Sequence, residues 1–265
     1  MNKKRLALGL SAMTLAVYLD RQAFKARESR VVLRSKKALE DIRISQISDF
    51  HSNVIGNLDD LLGKIRSFDP HFIILTGDII DYGEDKKIAR SMYFLKNLTS
   101  LSKPIFFISG NHEERGPKLD EFLSQIRALG IRYLANESLR FKLGKTKINL
   151  FGSKYYERTY KDYAYDPKAI NIILSHSFKN IRDDKICDFD FIFSGHTHGG
   201  QVRLPFFGGI LAPSEGFLPK YDKGIFSYKN GIVYIDSGLG NTFLPLRFLD
   251  QIGYSNITIS NGSVV

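Results

Sequence analysis

Five times along this 265-residue chain, a short apolar run of strand length breaks off into Asp, Asn, His and Gly. Ile42 to Ile47 is followed by Asp49-Phe50-His51, Phe72 to Thr76 by Gly77-Asp78-Ile79-Ile80-Asp81, and Ile105 to Ser109 by Gly110-Asn111-His112-Glu113. Ile170 to Leu174 then runs into Ser175-His176, and Phe191 to Phe193 into Gly195-His196-Thr197-His198-Gly199-Gly200. Continuous apolar runs of this length suit strands covered on both faces. Between the first three lie helical spacings: Ile55, Leu58, Leu61, Leu62, Ile65, then Ile88, Met92, Leu95, Leu98, Leu101; Lys118 to Leu129 carries a third apolar face. Strand-helix-strand repetition implies βαβ units and an α/β sheet with parallel pairings.

The second half reads differently. Leu139 to Leu143, Ile148 to Gly152, Phe226 to Tyr228, Val233 to Asp236 and Ile257 to Ile259 are strand-like, and Gly144-Lys145 and Asn230-Gly231 are hairpin turn signals. So many strands with so few helices predict a second sheet packed on the first. No Pro, Gly or Ser-rich linker divides residues 41–265, which read as one catalytic domain.

Ligands in open α/β sheets bind beyond the C-terminal strand ends, and the histidines follow that rule. Only six occur, and His51, His112, His176, His196 and His198 all stand directly after strands; His71, behind Pro70, reads as a surface or capping residue. The lone Cys187 excludes a thiolate metal module. Asp, Asn and His together suit borderline divalent ions, Mn first, with Fe and Zn as alternatives. Seven candidate ligands, Asp49, His51, Asp78, Asn111, His176, His196 and His198, exceed what one ion uses once a water position is kept, so two are expected. Asp78, at the end of the central hydrophobic strand, is the expected bridge between ions about 3.5–4 Å apart.

Residues 1–43 hold 11 Lys or Arg against four Asp or Glu, whereas the remainder holds 27 against 24. The basic excess therefore belongs to the N-terminal arm and not to a nucleic-acid stripe on the body, which disfavours long nucleic acid. After Asn2-Lys3-Lys4-Arg5 the run Leu6 to Leu19 carries no charge. That pattern fits a signal-anchor, a cleaved signal, or an interfacial or buried helix. Residues 1–40 are expected to form this arm, with Arg27, Arg30, Arg34, Lys36 and Lys37 facing either solvent or lipid headgroups, and to associate the enzyme with the cell membrane.

The five motifs, taken in order, resemble the calcineurin-like metallophosphoesterases over about residues 42 to 260. The resemblance implies a four-layer α/β/β/α sandwich of two mixed sheets. It puts Asp49, His51, Asp78 and His198 around one ion, and Asp78, Asn111, His176 and His196 around the other. It also makes His112 a non-ligand that stabilises the transition state or protonates the leaving oxygen, with Asn111 beside it. Asp81 and Glu113 would orient ligands or His112. The Gly195 to Gln201 run, Leu204-Pro205, Asp236 to Gly240 and Pro245-Leu246-Arg247 are similar to membrane-associated bacterial phosphoesterases, some of which cleave UDP-2,3-diacylglucosamine. A small-molecule or lipid-linked phosphate or pyrophosphate ester, opened at a membrane by hydroxide from a metal-bound water, is the expected substrate; a UDP-2,3-diacylglucosamine pyrophosphatase of lipid A synthesis or a small-nucleotide phosphodiesterase is the alternative. A scaffold without turnover would lack ligands, and none is missing here. A metallo-β-lactamase-like hydrolase would show a close run of His and Asp that is absent. The stretch Arg203 to Tyr221 is expected to wall the substrate groove, touch lipid, or cover the core.

Overall fold

Two six-stranded mixed sheets lie face to face in the computed structural model, which describes residues 3–82, 85–241 and 245–263, with residues 3–6 as backbone alone. Asn2 and the side chains of Lys3, Lys4, Arg5 and Leu6 thus lie outside the described residues. Helix α1 (Lys3–Phe24) leads into strand β1 (Arg27–Arg34). Strands β2 (Ile42–Ile47), β3 (Phe72–Thr76), β4 (Ile105–Ile108) and β5 (Arg132–Tyr133) alternate with helices α2 (Leu58–Phe68), α3 (Asp85–Thr99), α4 (Asn111–Arg115) and α5 (Leu119–Ala128). Then come β6 (Glu137–Leu143), β7 (Thr146–Gly152), β8 (Ile170–Leu174), α6 (Phe178–Asp183) and β9 (Phe191–Ser194). Two small ribbons follow, β10 (Arg203–Leu204) with β11 (Gly208–Gly209) and β12 (Leu211–Ala212) with β13 (Gly216–Phe217). The hairpin β14 (Gly224–Tyr228) and β15 (Gly231–Ile235) and the long β16 (Gly253–Ser260) complete the order.

The first sheet runs β1-β16-β2-β3-β4-β5 and the second β14-β15-β9-β8-β7-β6. Strands β2 to β5 are parallel, as are β7, β8, β9 and β15. Ile44, Phe72, Ile74, Ile172, Phe191 and Phe193 belong to the apolar layer between the sheets. Each fully buried side chain of this size contributes about 1.5–3 kcal/mol. The opposite faces of β2 to β4 are covered by α2, α3 and α5 through Leu61, Ile65, Leu95, Leu98, Phe122 and Ile126. Over the second sheet the outer layer is mostly loop, with α6 contributing Phe178 and Ile181. The fold is therefore the expected mixed sandwich, with its fourth layer thinned to one short helix.

Local chemistry accounts for the boundaries. Asp59 and Asp60 occupy the first turn of α2, where the helix dipole favours them, and the helix stops at the left-handed Asp69 before Pro70. The hairpin expected at Gly144-Lys145 pairs Leu143 with Thr146. In the second hairpin Tyr228 pairs with Gly231, so the turn is Lys229-Asn230 and not Asn230-Gly231. A Cβ at Gly231 would press on the Phe189 ring, so this glycine serves strand packing. His71 accepts the Arg43 backbone N–H of β2 through Nδ1.

Part of the stretch expected as an arm, residues 1–40, is built into the first sheet. Arg27–Arg34 is an edge strand of the first sheet, parallel to β16 in unbroken register from Arg27↔Gly253 to Arg34↔Ser260. Several cations of this stretch are bound into the fold: Arg30 pairs with Glu28, Arg34 donates to the Asn261 carbonyl, and Lys37 pairs with Asp190. Only α1 projects from the body. Its root is tied down by hydrogen bonds from Asn53 to the Ala23 carbonyl and from Ile252 N to the Gln22 carbonyl.

Candidate metal centre

The five clusters meet at one place, the C-terminal edges of β2, β3, β4, β8 and β9, so a single crevice between the two sheets gathers residues up to 149 positions apart. Asp49, His51 and His198 present ligand atoms within 4.8 Å of one another, and so do Asp78, His176 and His196. Asp78 Oδ2 lies 3.1 Å from His176 Nε2 and 3.6 Å from His51 Nε2, the position of a bridge between the two groups. Its other oxygen accepts the His112 backbone N–H at the start of α4. His51 Nε2 faces His198 Nε2 at 3.2 Å, and His196 Nδ1 faces His176 Nε2 at 3.1 Å.

Backbone geometry brings these side chains inward at a cost. Asp49, His51, Asp78, His196 and His198 all have φ between 46° and 72°, left-handed values that a non-glycine residue adopts at roughly 1–2 kcal/mol. Five of seven candidate ligands thus carry local strain, which clusters at functional sites. Neighbouring glycines make room for the ligands themselves. A Cβ on Gly110 would overlap the Asp78 carboxylate, and one on Gly195 would overlap Ser48 and Asp49.

The electrostatics fit cations. Asp49 and Asp78 are buried, and their ion-pair partners among the described residues are all histidines. Burial holds His51 down to about 4, and burial with the His176 charge holds His196 down to about 3; burial, with His51 and the Arg247 guanidinium nearby, holds His198 well below the usual imidazole range. These three rings are neutral and offer lone pairs. For His176, burial opposes charge, but the Asp78 and Asp49 carboxylates push it up to about 10. Asn111 Oδ1 is buried without a hydrogen-bond partner, as an oxygen would be if its partner were a cation. Imidazole, carboxylate and amide oxygen together fit two divalent ions.

Supporting contacts fix the outer atoms of the ligands. The Thr76 carbonyl lies 2.8 Å from His176 Nδ1, Ser214 Oγ 2.8 Å from His196 Nε2, and the Arg247 guanidinium 3.3 Å from His198 Nδ1. Arg247 is completely buried, and it also donates to the Ser237 and Gly240 carbonyls and to Asp250. Sequence reading gave neither Ser214 nor Arg247 a role; their partners are largely backbone groups and distant loops.

His112 groups with His51 and Asp81, their ligand atoms within 4.8 Å of one another, with Nε2 4.0 Å from Asp78 Oδ2 and its ring tilted over Tyr82 and edge-on to His51. Its Nδ1 is 2.8 Å from Asp81 Oδ1, while Lys87 holds Asp81 Oδ2 at 2.6 Å. Burial works to lower the His112 pKa, but the Asp81 hydrogen bond and the surrounding carboxylates raise it; Asp81, held chiefly by His112, is lowered to about 2. Glu113 was expected to orient ligands or His112, and its carboxylate serves the Asp78 side. It accepts four backbone N–H groups, from Asp78, Ile79, Ile80 and Gly110, at 2.6–3.0 Å.

A cavity of about 850 Å³ opens beside His51 and His112, walled by Lys87, Arg90 and Asn241 and reaching Phe24 at the root of α1. The Arg203 to Tyr221 stretch contributes Ser214 to the site, while Phe206, Phe207 and Phe217 point into solvent. Tyr155 faces the rings of His176 and His196, whereas Arg158 and Tyr160 turn away to Asp184.

Comparison with known proteins follows the same lines. The calcineurin-like phosphoesterase profile matches residues 42–200. The chain is 32% identical to the protein YpbG of Bacillus subtilis, across 91% of this chain and 90% of that one. It is 29% identical to the metallophosphoesterase YkuE of the same organism, across 79% and 76%. The UDP-2,3-diacylglucosamine pyrophosphatase LpxG of Chlamydia trachomatis is 24% identical, across 76% and 79%. With its donors gathered at five strand ends and its sequence matched over most of its length, the chain belongs to the calcineurin-like phosphoesterases and is a metal-dependent phosphoesterase.

Proposed function

We propose that this phosphoesterase hydrolyses a phosphodiester or pyrophosphate bond in a lipid-linked substrate at a membrane surface. The observation that carries the reading is the cavity that joins the metal centre to the root of α1. A headgroup phosphate at His112 would leave the rest of an amphiphile directed toward Phe24 and the exposed apolar helix beyond it. The similarity to LpxG supports a nucleotide-linked lipid of the UDP-diacylglucosamine kind.

Asp49, His51 and His198 would hold one cation and Asn111, His176 and His196 the other, with Asp78 shared, manganese being the ion we favour. Two divalent ions there supply charge for the phosphoryl oxygens and acidify water near neutral pH. The protein's own part is preorganisation. Asp81 fixes the His112 ring with Nε2 toward the site, so His112 is placed to offset charge on a phosphoryl oxygen and to give its proton to the leaving oxygen. Lys87 holds the second oxygen of Asp81, and Glu113 keeps the loop after β3 from drifting away from α4.

The test compares bis-p-nitrophenyl phosphate, UDP-diacylglucosamine, CDP-linked lipids and short nucleotides on metal-reconstituted protein, with Asn111→Ala as control. Preference for a lipid-linked substrate, lost when residues 1–16 are removed, supports the reading. Equal or better turnover of short nucleotides, unaffected by that truncation, overturns it. Truncation stops at residue 16 because Tyr18 onward is packed into the body.

A further inference from the structure

Between Ala7 and Val17 helix α1 carries no charge on any side. All residues from Ala7 to Val17 are exposed, including Leu8 at 73% and Met13 at 63%. A helix hydrophobic all round is normally buried. None of the described helices is long and apolar enough to cross a membrane. The uncharged run Leu6 to Leu19 spans about 21 Å against a hydrocarbon core of about 30 Å.

The root of the helix has a second character. Tyr18 packs edge-on against Phe248, its hydroxyl accepts the Leu249 N–H, and Gln251 donates to the Lys25 carbonyl, so one loop follows α1 for two turns. Along this seam an apolar groove of about 600 Å³ is lined by Leu10, Leu15, Tyr18, Phe248 and Leu249. Beyond it lies a polar cavity of about 430 Å³ lined by Arg21, Lys25, Arg27 and Lys64, with Glu28 and Asp60. Glu28 already accepts from Arg30 and Asn256, and Asp60 from Lys64 and Asn57. Arg21, Lys25 and Arg27 have no carboxylate partner among the described residues. Helical spacing puts Leu10, Thr14, Tyr18 and Arg21 on one face, with Lys25 just past the helix and bonded back to the Arg21 carbonyl, so a single stripe changes from hydrocarbon to cation along its length. The same loop is bridged to Val202, beside the ribbon that carries Phe206 and Phe207 into solvent.

We propose that this stripe binds an anionic phospholipid within one bilayer leaflet, its acyl chain along the groove and its headgroup phosphate among Arg21, Lys25 and Arg27. The length of the apolar run and the charge at its ends choose the occupant: too short to cross and bounded by Lys3-Lys4-Arg5 on one side and Arg21 and Lys25 on the other, the helix lies along one leaflet, and the cations at its root come to rest at the depth of the phosphates. This deepens the membrane part of the function proposed above and rests on it, but not on the metal chemistry.

Vesicle flotation of the full chain tests it, with phosphatidylcholine alone and with added phosphatidylglycerol. The wild type should prefer the anionic vesicles and lose that preference in high salt. Arg21→Ala with Lys25→Ala should weaken anionic binding by about fivefold for each residue, roughly 25-fold together. Leu10→Ser with Leu15→Ser should weaken binding to both vesicle types. Equal affinity of the wild type for both vesicles, or unchanged anionic binding by the double alanine variant, overturns the site. Two further outcomes also overturn it: inorganic phosphate alone raising Tm in the wild type but not in the alanine variant, or α1 covered by a second copy, seen as a dimer by light scattering that the serine variant breaks. Hydrolysis of bis-p-nitrophenyl phosphate by the wild type without vesicles reports the metal centre separately, so failure there leaves the lipid result standing.

Discussion

Replacing Glu113 with Gln tests how the site is held without touching a candidate metal ligand. In the native protein Glu113 Oε1 accepts the N–H groups of Ile79 and Ile80, and Oε2 those of Asp78 and Gly110. A glutamine has one oxygen and one NH2 group. It can satisfy either pair of donors, but it then points N–H at the other pair in a place closed to water, since Glu113 is fully buried. Two orphaned backbone donors at about 1–3 kcal/mol each give a loss of about 2–6 kcal/mol. At about 3 °C per kcal/mol for a domain of this size, the middle of that range lowers Tm by about 12 °C. Calorimetry on metal-free protein is the assay, with Glu121→Gln on the exposed face of α5 as the control expected to stay within about 0.5 kcal/mol of wild type. A fall of less than about 2 °C in Glu113→Gln would show that the loop after β3 is held by something else, and the positioning argument for Asp78 would fail with it.

Other expectations follow from the same geometry. Asp78→Asn should lose both ions by elemental analysis, because the carboxylate reaches both histidine groups; two ions retained would remove it from the bridge. His112→Asn should lower kcat by about 10²- to 10⁴-fold at unchanged metal content, and parallel loss of metal and rate would make it a ligand. Dialysis against a chelator should lower Tm as well as activity, and manganese at about 100 times its Kd should restore about 2.7 kcal/mol of stability. Arg247→Met should destabilise by about 3–5 kcal/mol in urea titrations, since the Ser237 and Gly240 carbonyls and Asp250 lose their shared donor; a smaller change would mean that Lys223 alone suffices for Asp250.

The candidate site was legible because its chemistry is concentrated where apolar runs stop. Phe50 shows the logic: it stacks on Phe94 in the core while Asp49 and His51 on either side enter the crevice. What sequence could not show is how they do so. Left-handed backbone is expected at glycine, yet here it falls on Asp and His, whose strain is a property of the assembled loops. Strand β1 escaped notice for another reason. Arg27–Arg34 mixes charges with Val and Leu and buries only Leu33 fully, as an edge strand can, and its partner is 226 residues away. The thin fourth layer was equally hidden, because a six-residue helix is too short for a 3.6-residue period to register. Arg247 was visible as a residue but not as a buried one, since its compensation comes mainly from main-chain carbonyls.

The strand order β1-β16-β2 has a consequence for biosynthesis. A ribosome delivers β1 and β2 early, but the strand that joins them arrives some two hundred residues later, so the first sheet stays split through most of translation. Over that interval β1 has no neighbour, and the carbonyl of Gln22 has yet to meet Ile252. The emerging α1 therefore has no anchor to the body until translation is nearly complete, and closure of the sheet is the event that fastens its root.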